Sequence, residues 1–177
     1  MHLRPFDPSD AAPLTALLHR AYADLGAAGL NFTAVDQDEA TTLRRASGGA
    51  SWVVDHHDRP VATMSVSLPA EAALRALTPH AAADGRAWLN QLAVDPAHRG
   101  HGLARRLRDV GYGWCRAQRS TSIGLDTAEP AEHLVAMYTS WGFAVVDRVQ
   151  WPGKRYRSVV MVRALPDPHG DPDAPTV

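Results

Sequence analysis

Hydrophobic residues in the first quarter of the chain recur at a helical spacing. Ser9 or Asp10 is expected to cap a first helix, because a side-chain oxygen there can accept a hydrogen bond from a free N–H of the first turn. Asp36 and Glu39 form a capping-box-like start for a second, short helix through Arg45. The apolar positions of the first helix follow the 3.6-residue period and comprise Leu14, Leu17, Leu18, Ala21 and Tyr22.

Short apolar or alternating runs in the rest of the chain predict β-strands. Residues 51–55 and 60–67 flank a polar turn and predict a hairpin. Pro96 ends the strand that follows, because proline lacks the N–H that a ladder needs. The predicted strands cover residues 2–6, 51–55, 60–67, 87–94, 122–127, 143–149 and 156–163. Their order with the helices predicts a mixed α/β sheet flanked by helices.

Two further helices are predicted between the later strands. The apolar face of the first comprises Leu103, Leu107, Val110 and Trp114. Gly111 and Gly113 interrupt this helix, each at a cost of about 0.5–1 kcal/mol. The second helix is predicted over residues 131–141. Residues 1–163 are therefore interpreted as one domain, and the proline-rich residues 164–177 as a flexible tail.

Composition narrows the function classes. A chain of 177 residues that is 45% hydrophobic can bury about 70% of its unfolded surface in one domain. Its formal net charge of -1 gives no broad positive field, so no nucleic-acid partner is expected. The apolar runs are shorter than the ~20 residues that span a bilayer, and no signal-peptide core is evident, so no membrane partner is expected. Cys115 is the single cysteine and is interpreted as buried and inert, and we expect a cytoplasmic protein.

The segment over residues 99–104 carries the most specific chemistry. Gly100 and Gly102 allow a ligand to approach the backbone closely, and successive N–H groups can converge on one anion. The following helix adds its free N–H groups and the positive end of its dipole, so the turn is predicted to hold a pyrophosphate. The lysine of a P-loop and the third glycine of a dinucleotide fingerprint are absent. The alternatives are an ordinary glycine-rich turn and a nucleotide-binding protein of another fold.

Two sequence motifs carry a resemblance to a known family. The pattern Arg-x-x-Gly-x-Ala over residues 99–104, preceded by Leu-Ala-Val-Asp-Pro over residues 92–96, resembles the acyl-CoA-binding motif of the GNAT superfamily of N-acetyltransferases. Residues 136–143, Ala-Met-Tyr followed by Trp-Gly-Phe, are similar to a second segment of that family. The resemblance covers residues 1–163. It implies the GNAT fold: a central mixed, mostly antiparallel sheet of six to seven strands, about four flanking helices and a V-shaped splay between strands 4 and 5.

The resemblance also implies the ligand and its binding site. Acetyl-CoA would be the acyl-donor substrate, with no metal ion. Backbone N–H groups of the glycine turn would bind its pyrophosphate, and a strand edge would pair with the pantetheine arm. The implied binding residues are Leu92, Ala93, Val94, Arg99, Gly100, His101, Gly102, Leu103 and Ala104.

Tyr138 is implied to be the general acid of acyl transfer. Attack of an amine on a thioester expels a thiolate, and a phenol with a pKa of about 10 is protonated at pH 7 and can donate to that sulfur. The alternative is a tyrosine that only packs in the core. Many relatives have an asparagine that contacts pantetheine seven residues before this tyrosine. This chain has Ala131 there, so we do not expect that contact.

The sequence does not identify the general base. A primary alkylammonium has a pKa of about 10.4, so removing its proton at pH 7 costs about 4.6 kcal/mol and calls for a base or a water chain. Four carboxylates are candidates, and each is also explained as a solvated surface group. These candidates are Asp126, Glu129, Asp84 and Glu71.

The acceptor is predicted to be a primary amine, either a small molecule or a peptide, that receives the acyl group directly. Residues 68–86 exceed an ordinary hairpin loop; we predict a short helix over residues 69–77 and a position beside the acceptor site. The identity of the amine, the acyl chain length and the oligomeric state, including a homodimer, stay open. The alternative function is a catalytically silent CoA-binding regulatory module of the same fold.

Overall fold

The computed structural model describes residues 1–165, which form one seven-stranded sheet in the order β1-β2-β3-β4-β5-β7-β6. The strands are β1 (His2–Pro5), β2 (Ala50–His56), β3 (Arg59–Ser67), β4 (Arg86–Val94), β5 (Ser122–Ala128), β6 (Ala144–Val149) and β7 (Ser158–Ala164). The α-helices are α1 (Ala11–Ala27), α2 (Glu39–Ser47), α3 (Ala72–Leu77), α4 (Pro79–Ala82), α5 (Leu103–Ala117) and α6 (Glu132–Ser140). Neighbouring strands are antiparallel except β4 and β5, which are parallel. The predicted mixed, mostly antiparallel sheet is confirmed.

The carboxyl-terminal boundary lies slightly beyond the predicted one. β7 ends at Ala164, and Leu165 is buried in the core at 3% exposure, whereas the tail was predicted to begin at residue 164. The remainder of the predicted tail, residues 166–177, lies outside the described residues. Within the part that is described, no helix is long and apolar enough to cross a membrane.

The predicted side-chain cap of α1 is wrong, although Asp10 does occupy the N-cap position: its side chain accepts no hydrogen bond from the first turn of α1. Asp7 caps a short 3-10 helix (Pro8–Asp10) that leads into α1, and its carboxylate accepts a hydrogen bond from the Ser9 N–H at 2.9 Å. Asp10 is 7% exposed and forms an ion pair with Arg4 at 2.7 Å. The side-chain cap hydrogen bond therefore lies at Asp7, where the 3-10 helix begins, and not at Ser9 or Asp10.

The predicted cap of α2 is also wrong. The carboxylate of Asp38 accepts a hydrogen bond from the Thr41 N–H at 2.8 Å, in place of the predicted capping box of Asp36 and Glu39. Several acidic side chains close in sequence can reach the same free N–H groups, and the path of the backbone decides which of them does so.

The main core lies between the sheet and α5. Leu107 is fully buried, and Gly111 lies on the same face, where a Cβ would fall 2.0 Å from the terminal methyl of Met64. The glycine that lowers the helix propensity of α5 therefore lets this helix approach β3 closely. Cys115 is fully buried, and burial raises the pKa of its thiol to about 12, as expected for an inert cysteine.

The parallel strands β4 and β5 separate after three residue pairs. These pairs are Arg86 with Ser122, Ala87 with Ile123 and Trp88 with Gly124. The indole of Trp88 lies against Gly124, where a Cβ would fall 2.2 Å from the ring. Beyond this contact β4 continues beside β3, and β5 beside β7. The V-shaped splay that the resemblance implied between strands 4 and 5 is therefore present.

The long segment between β3 and β4 carries two short helices. The helix predicted over residues 69–77 is present as α3, whereas α4 was not predicted. Thr78, between these helices, is buried, and its hydroxyl donates to the carboxylate of Asp147 on β6 at 2.6 Å. This bond ties the segment to the far side of the splay.

Candidate active site

A cavity of about 1200 Å³ occupies the splay between β4 and β5. Its lining comes from α1, the segment after α1, α2, the α3 segment, β4, α5, β5, α6 and the loop between β6 and β7. It includes Tyr138 and, apart from His101, every residue that was implied to bind the acyl donor. His101 is exposed, and its Nδ1 lies 2.9 Å from the carbonyl oxygen of Arg99.

The glycine turn forms one end of this cavity, which we call the donor end. Gly100 and Gly102 have positive φ angles of 81° and 75°, and no atom lies within 4 Å of a Cβ built at either position. Among the described residues, none accepts a hydrogen bond from the backbone N–H groups of residues 100–105. These free donors coincide with the positive end of the α5 dipole, so the turn is a ready anion site.

The side chain of Arg99 attaches this turn to α1. Its Nη2 donates to the carbonyl oxygen of Ala21 at 2.8 Å, and its Nη1 lies 3.7 Å from the carboxylate of Asp24. Arg105 lines the cavity beside it. Arg99 therefore fixes the turn in place, and both arginines add positive charge near the free N–H groups.

The edge of β4 that faces the splay carries backbone groups without a strand partner. A bulge in the β3–β4 ladder leaves Asn90 without a partner on β3, and its carbonyl accepts a hydrogen bond from Arg45 at 3.1 Å. The carbonyl of Leu92 accepts one from the Tyr22 hydroxyl at 3.0 Å. Beyond Trp88, no described strand pairs with this edge. An extended ligand could therefore add to β4 as a further strand.

Tyr138 lies on the wall of the cavity and is 7% exposed. Its ring packs edge-on against Trp141 and Phe143, with centroid distances of 5.7 and 5.9 Å. Burial raises the pKa of its hydroxyl well above the ordinary value, and Tyr22 and Asp126 add to the shift in the same direction. The phenol therefore stays protonated, in the form that can donate a hydrogen bond.

Asp126 is a partly buried carboxylate on the lining of the cavity. It lies on β5 just past the splay point, and the Nε1 of Trp151 donates to it at 2.8 Å. Burial raises its pKa, while hydrogen bonds to Trp151, Trp88 and Ser158 and the charge of Arg45 reduce that shift. The alternative of a solvated surface carboxylate is therefore wrong for Asp126.

The other candidate bases are less suited to the role. Glu129 forms an ion pair with Arg148 at 2.6 Å, and this hydrogen bond lowers the pKa of the carboxyl, so it holds a proton poorly. Asp84 is exposed and lies outside the cavity lining. Glu71 is exposed where the α3 segment meets the cavity. Asp126 is therefore the candidate whose surroundings fit a base.

The opposite end of the cavity, which we call the acceptor end, contains residues that the sequence analysis did not select. Phe32 packs between two of the tyrosines, with ring centroids 5.5 Å from Tyr22 and 5.2 Å from Tyr156. The residues missed from sequence are Tyr22, Arg45, Trp151, Lys154 and Tyr156. No local signal distinguishes them: an arginine in the last turn of a helix, for example, is already explained by the helix dipole.

Lys154 holds the acceptor end together. Its ammonium donates to the carbonyl oxygen of Asn31 at 2.6 Å and to the hydroxyl of Thr33 at 3.1 Å, joining the β6–β7 loop to the segment after α1. Burial and the nearby charge of Arg45 lower the pKa of its amine. The positive charge of Lys154 is therefore engaged with fixed protein groups.

The splayed sheet, the anion-binding turn and the tyrosine-lined cavity define an acetyltransferase fold. The family model described as "Acetyltransferase (GNAT) family" matches residues 15–143, and the chain belongs to this family. Members of the family generally use acetyl-CoA as the acyl donor and act on amine acceptors. The resemblance inferred from the two motifs is confirmed.

Solved structures of the same fold cover nearly the whole chain. The ribosomal-protein-S18-alanine N-acetyltransferase of Escherichia coli is similar at a TM-score of 0.67 and 16% identity, with 93% of each chain covered. Ard1 of Thermoplasma volcanium is similar at a TM-score of 0.70 and 17% identity, with 92% of this chain and 96% of that chain covered. A GCN5-related N-acetyltransferase of Rhodopseudomonas palustris is similar at a TM-score of 0.70 and 20% identity, with 92% of this chain and 94% of that chain covered. These identities show a shared fold alone. No curated protein matches the sequence.

Proposed function

We propose that this protein is an acetyl-CoA-dependent N-acetyltransferase that transfers the acyl group directly to a primary amine. One observation carries the proposal: the free N–H groups of the glycine turn and the unpaired edge of β4 open into the same cavity as Tyr138 and Asp126. A donor-binding surface thus meets an acid and a base within one cavity.

The donor end suits the shape and charge of an acyl-CoA. The N–H groups of residues 100–105 would bind the pyrophosphate, with Arg99 and Arg105 adding positive charge. The edge of β4 from Leu92 to Val94 would pair with the amide groups of the pantetheine arm. Acetyl-CoA supplies an acyl group that is already activated as a thioester. These contacts would hold its carbonyl where β4 and β5 diverge.

Asp126 and Tyr138 would divide the proton transfers. Asp126 takes a proton from the acceptor ammonium, so that the neutral nitrogen can attack the thioester carbon. The new C–N bond forms and the C–S bond breaks, the nitrogen loses a second proton, and Tyr138 donates a hydrogen bond or its proton to the departing sulfur. The products are the N-acetyl amine, CoA thiol and one released proton. No covalent acyl-enzyme is required.

The raised pKa of Asp126 supports its role as the base. A base works best when its pKa lies near the working pH, and burial moves an aspartate in that direction. A catalytically silent CoA-binding module remains the alternative, but it would have no use for a buried carboxylate facing the same cavity as a protonated tyrosine. Localisation in the cytoplasm and a homodimer stay predictions from the sequence.

Calorimetric titration of the purified protein with CoA and acetyl-CoA tests the donor site. We expect binding in the micromolar range and a rise of the melting temperature, because the turn and the strand edge are preformed. Absence of heat and of a thermal shift at millimolar CoA would refute the proposal. A panel of amines, assayed by release of free CoA thiol, then separates an active enzyme from a silent binding module.

A further inference from the structure

Arg45 lines the acceptor end of the cavity, and its Nη1 is not buried and has no hydrogen-bond partner among the described residues. Its Nη2 donates to the carbonyl of Asn90, but its Nε is buried and finds no hydrogen-bond partner among the described residues. No carboxylate in residues 1–165 forms an ion pair with it. Buried donors without a partner are rare in native proteins because they lose their hydration without replacement. No carboxylate of the described residues therefore balances the charge of Arg45, and its Nη1 is left to bind a group from the cavity.

The charges around Arg45 indicate the sign of the missing group. Lys154 is engaged with Asn31 and Thr33, so its ammonium is already coordinated by protein oxygens. Asp126 lines the same cavity as Arg45, whose charge lowers the pKa of the carboxyl, yet the two side chains are not among the ion pairs of the described residues. The acceptor end therefore presents a fixed positive group and a separate carboxylate to the same space.

We propose that the acceptor is a zwitterion, an α-amino acid or a close analogue, whose carboxylate is received by Arg45 while its amino group is placed at Asp126. This inference rests on the proposed acetyltransferase function and names the substrate class for the same site. A guanidinium matches the planar geometry of a carboxylate through two parallel N–H donors, and one positive charge balances one negative charge. The wall formed by Tyr22, Phe32 and Tyr156 leaves an apolar surface for the side chain of such an acceptor.

Other amines would use the site less completely. A plain alkylamine would leave the partly buried Arg45 without an anionic partner, and a desolvated charge is costly when it is unpaired. An amine that bears a phosphate would bring two negative charges to a single uncommitted guanidinium. A carboxylate placed a few bonds from the amine satisfies both Arg45 and Asp126.

Binding measurements on the CoA-saturated protein test this class independently of turnover. Each probe set contains an amino acid, its amide and its decarboxylated amine, all with the same side chain; one set is phenylalanine, phenylalaninamide and phenethylamine. One such set is tested for each of the common amino-acid side chains. We expect at least one amino acid to bind about tenfold or more tightly than both its amide and its decarboxylated amine, because only the acid has an anionic partner for Arg45.

The variant Arg45→Gln removes the charge and should reduce this ratio to about one. Arg45→Lys keeps the positive charge but loses the two parallel N–H donors of the guanidinium, so it should retain part of the preference for the acid. Arg75→Gln is the matched control, because Arg75 is exposed on α3 outside the cavity lining, and its loss of charge should leave the ratio unchanged. The CoA affinity of each variant, measured in parallel, reports whether the fold is intact.

Distinct results would overturn the inference. Amides or plain amines that bind as tightly as the acids contradict it, as does a ratio that survives Arg45→Gln in a protein that still binds CoA. Phosphoethanolamine that outcompetes every amino acid assigns the site to a phosphate instead. A parent protein that does not bind CoA refutes the proposed function and this inference together, whereas intact CoA binding without discrimination refutes the inference alone.

Discussion

The donor end and the acceptor end of the cavity are built on different principles. The donor end comes from one continuous stretch, residues 92–105, and offers mainly backbone groups. The acceptor end gathers side chains from α1, α2, β5 and the β6–β7 loop, which lie up to 134 residues apart, from Tyr22 to Tyr156. The first depends on the conformation of a short segment and the second on long-range packing. Their sensitivity to substitution should differ in the same way.

The two ends also differ in their electrostatics. At the donor end the backbone donors are open, and Arg99 and Arg105 line the cavity beside them. At the acceptor end burial raises the pKa of Asp126 and lowers that of Lys154. The donor end is therefore suited to holding an anion, and the acceptor end to moving protons. The four predictions below separate these two roles.

The largest effect is expected from Gly102→Val at the donor end. Valine at a φ of 75° is strained. Its side chain would also occupy the open space through which the ligand reaches the backbone N–H groups of the turn. Affinity for CoA, measured by calorimetry, should fall by about a hundredfold or more. Gly29→Val is the matched control, because Gly29 has a φ of 83°, equally open surroundings and no part in the cavity lining. An unchanged affinity in folded Gly102→Val would place the anion site elsewhere.

Tyr138→Phe should affect the chemical step while sparing donor binding. The ring and its packing remain, so kcat is expected to fall about 10²- to 10⁴-fold with little change in KM for acetyl-CoA. Tyr112→Phe serves as control, because Tyr112 is also a buried tyrosine with a raised pKa but lies outside this cavity. If kcat of Tyr138→Phe stays within about twofold of the parent on an active amine, Tyr138 is a packing residue and solvent supplies the proton.

Asp126→Asn should lower kcat by about a hundredfold and change its pH dependence. A base is active when deprotonated, so the parent rate should decline as the pH falls through the pKa of Asp126, and burial places this decline closer to neutrality than for an ordinary aspartate. The decline should be absent in the variant. Glu129→Gln removes an ion-paired carboxylate outside the cavity lining and should leave the profile unchanged. Superimposable profiles for Asp126→Asn and the parent would exclude Asp126 as the base.

The smallest effect is expected in residues 68–86. Glu71 and Leu74 of this segment line the cavity, and its position beside the acceptor site stays a prediction. Amide hydrogen exchange in these residues should slow when CoA and an acceptor are both present, because the bound molecules restrict local opening. Residues 59–67 of β3 provide an internal reference. Equal exchange with and without ligands would show that the segment takes no part in binding.

The sequence by itself determined the features that depend on local conformation. The strand and helix order, the positions of Gly100 and Gly102 before a helix, and the placement of Tyr138 on α6 all follow from periodicity and short motifs. Backbone N–H groups are present whatever the side chains are, so a glycine turn before a helix already predicts an anion site. The family resemblance rested on the same segments.

Tertiary structure alone decided the features that depend on burial and on distant neighbours. Asp126 has the sequence context of a surface carboxylate until Trp151 donates a hydrogen bond to it. Arg45 has that of a helix-terminal arginine until its Nη2 donates to the carbonyl of Asn90 on β4. The caps at Asp7 and Asp38 were missed because nearby acidic residues compete for the same free N–H groups. A side chain's charge and reactivity depend on its desolvation and its partners, and these exist only when strands and loops far apart in sequence have packed together.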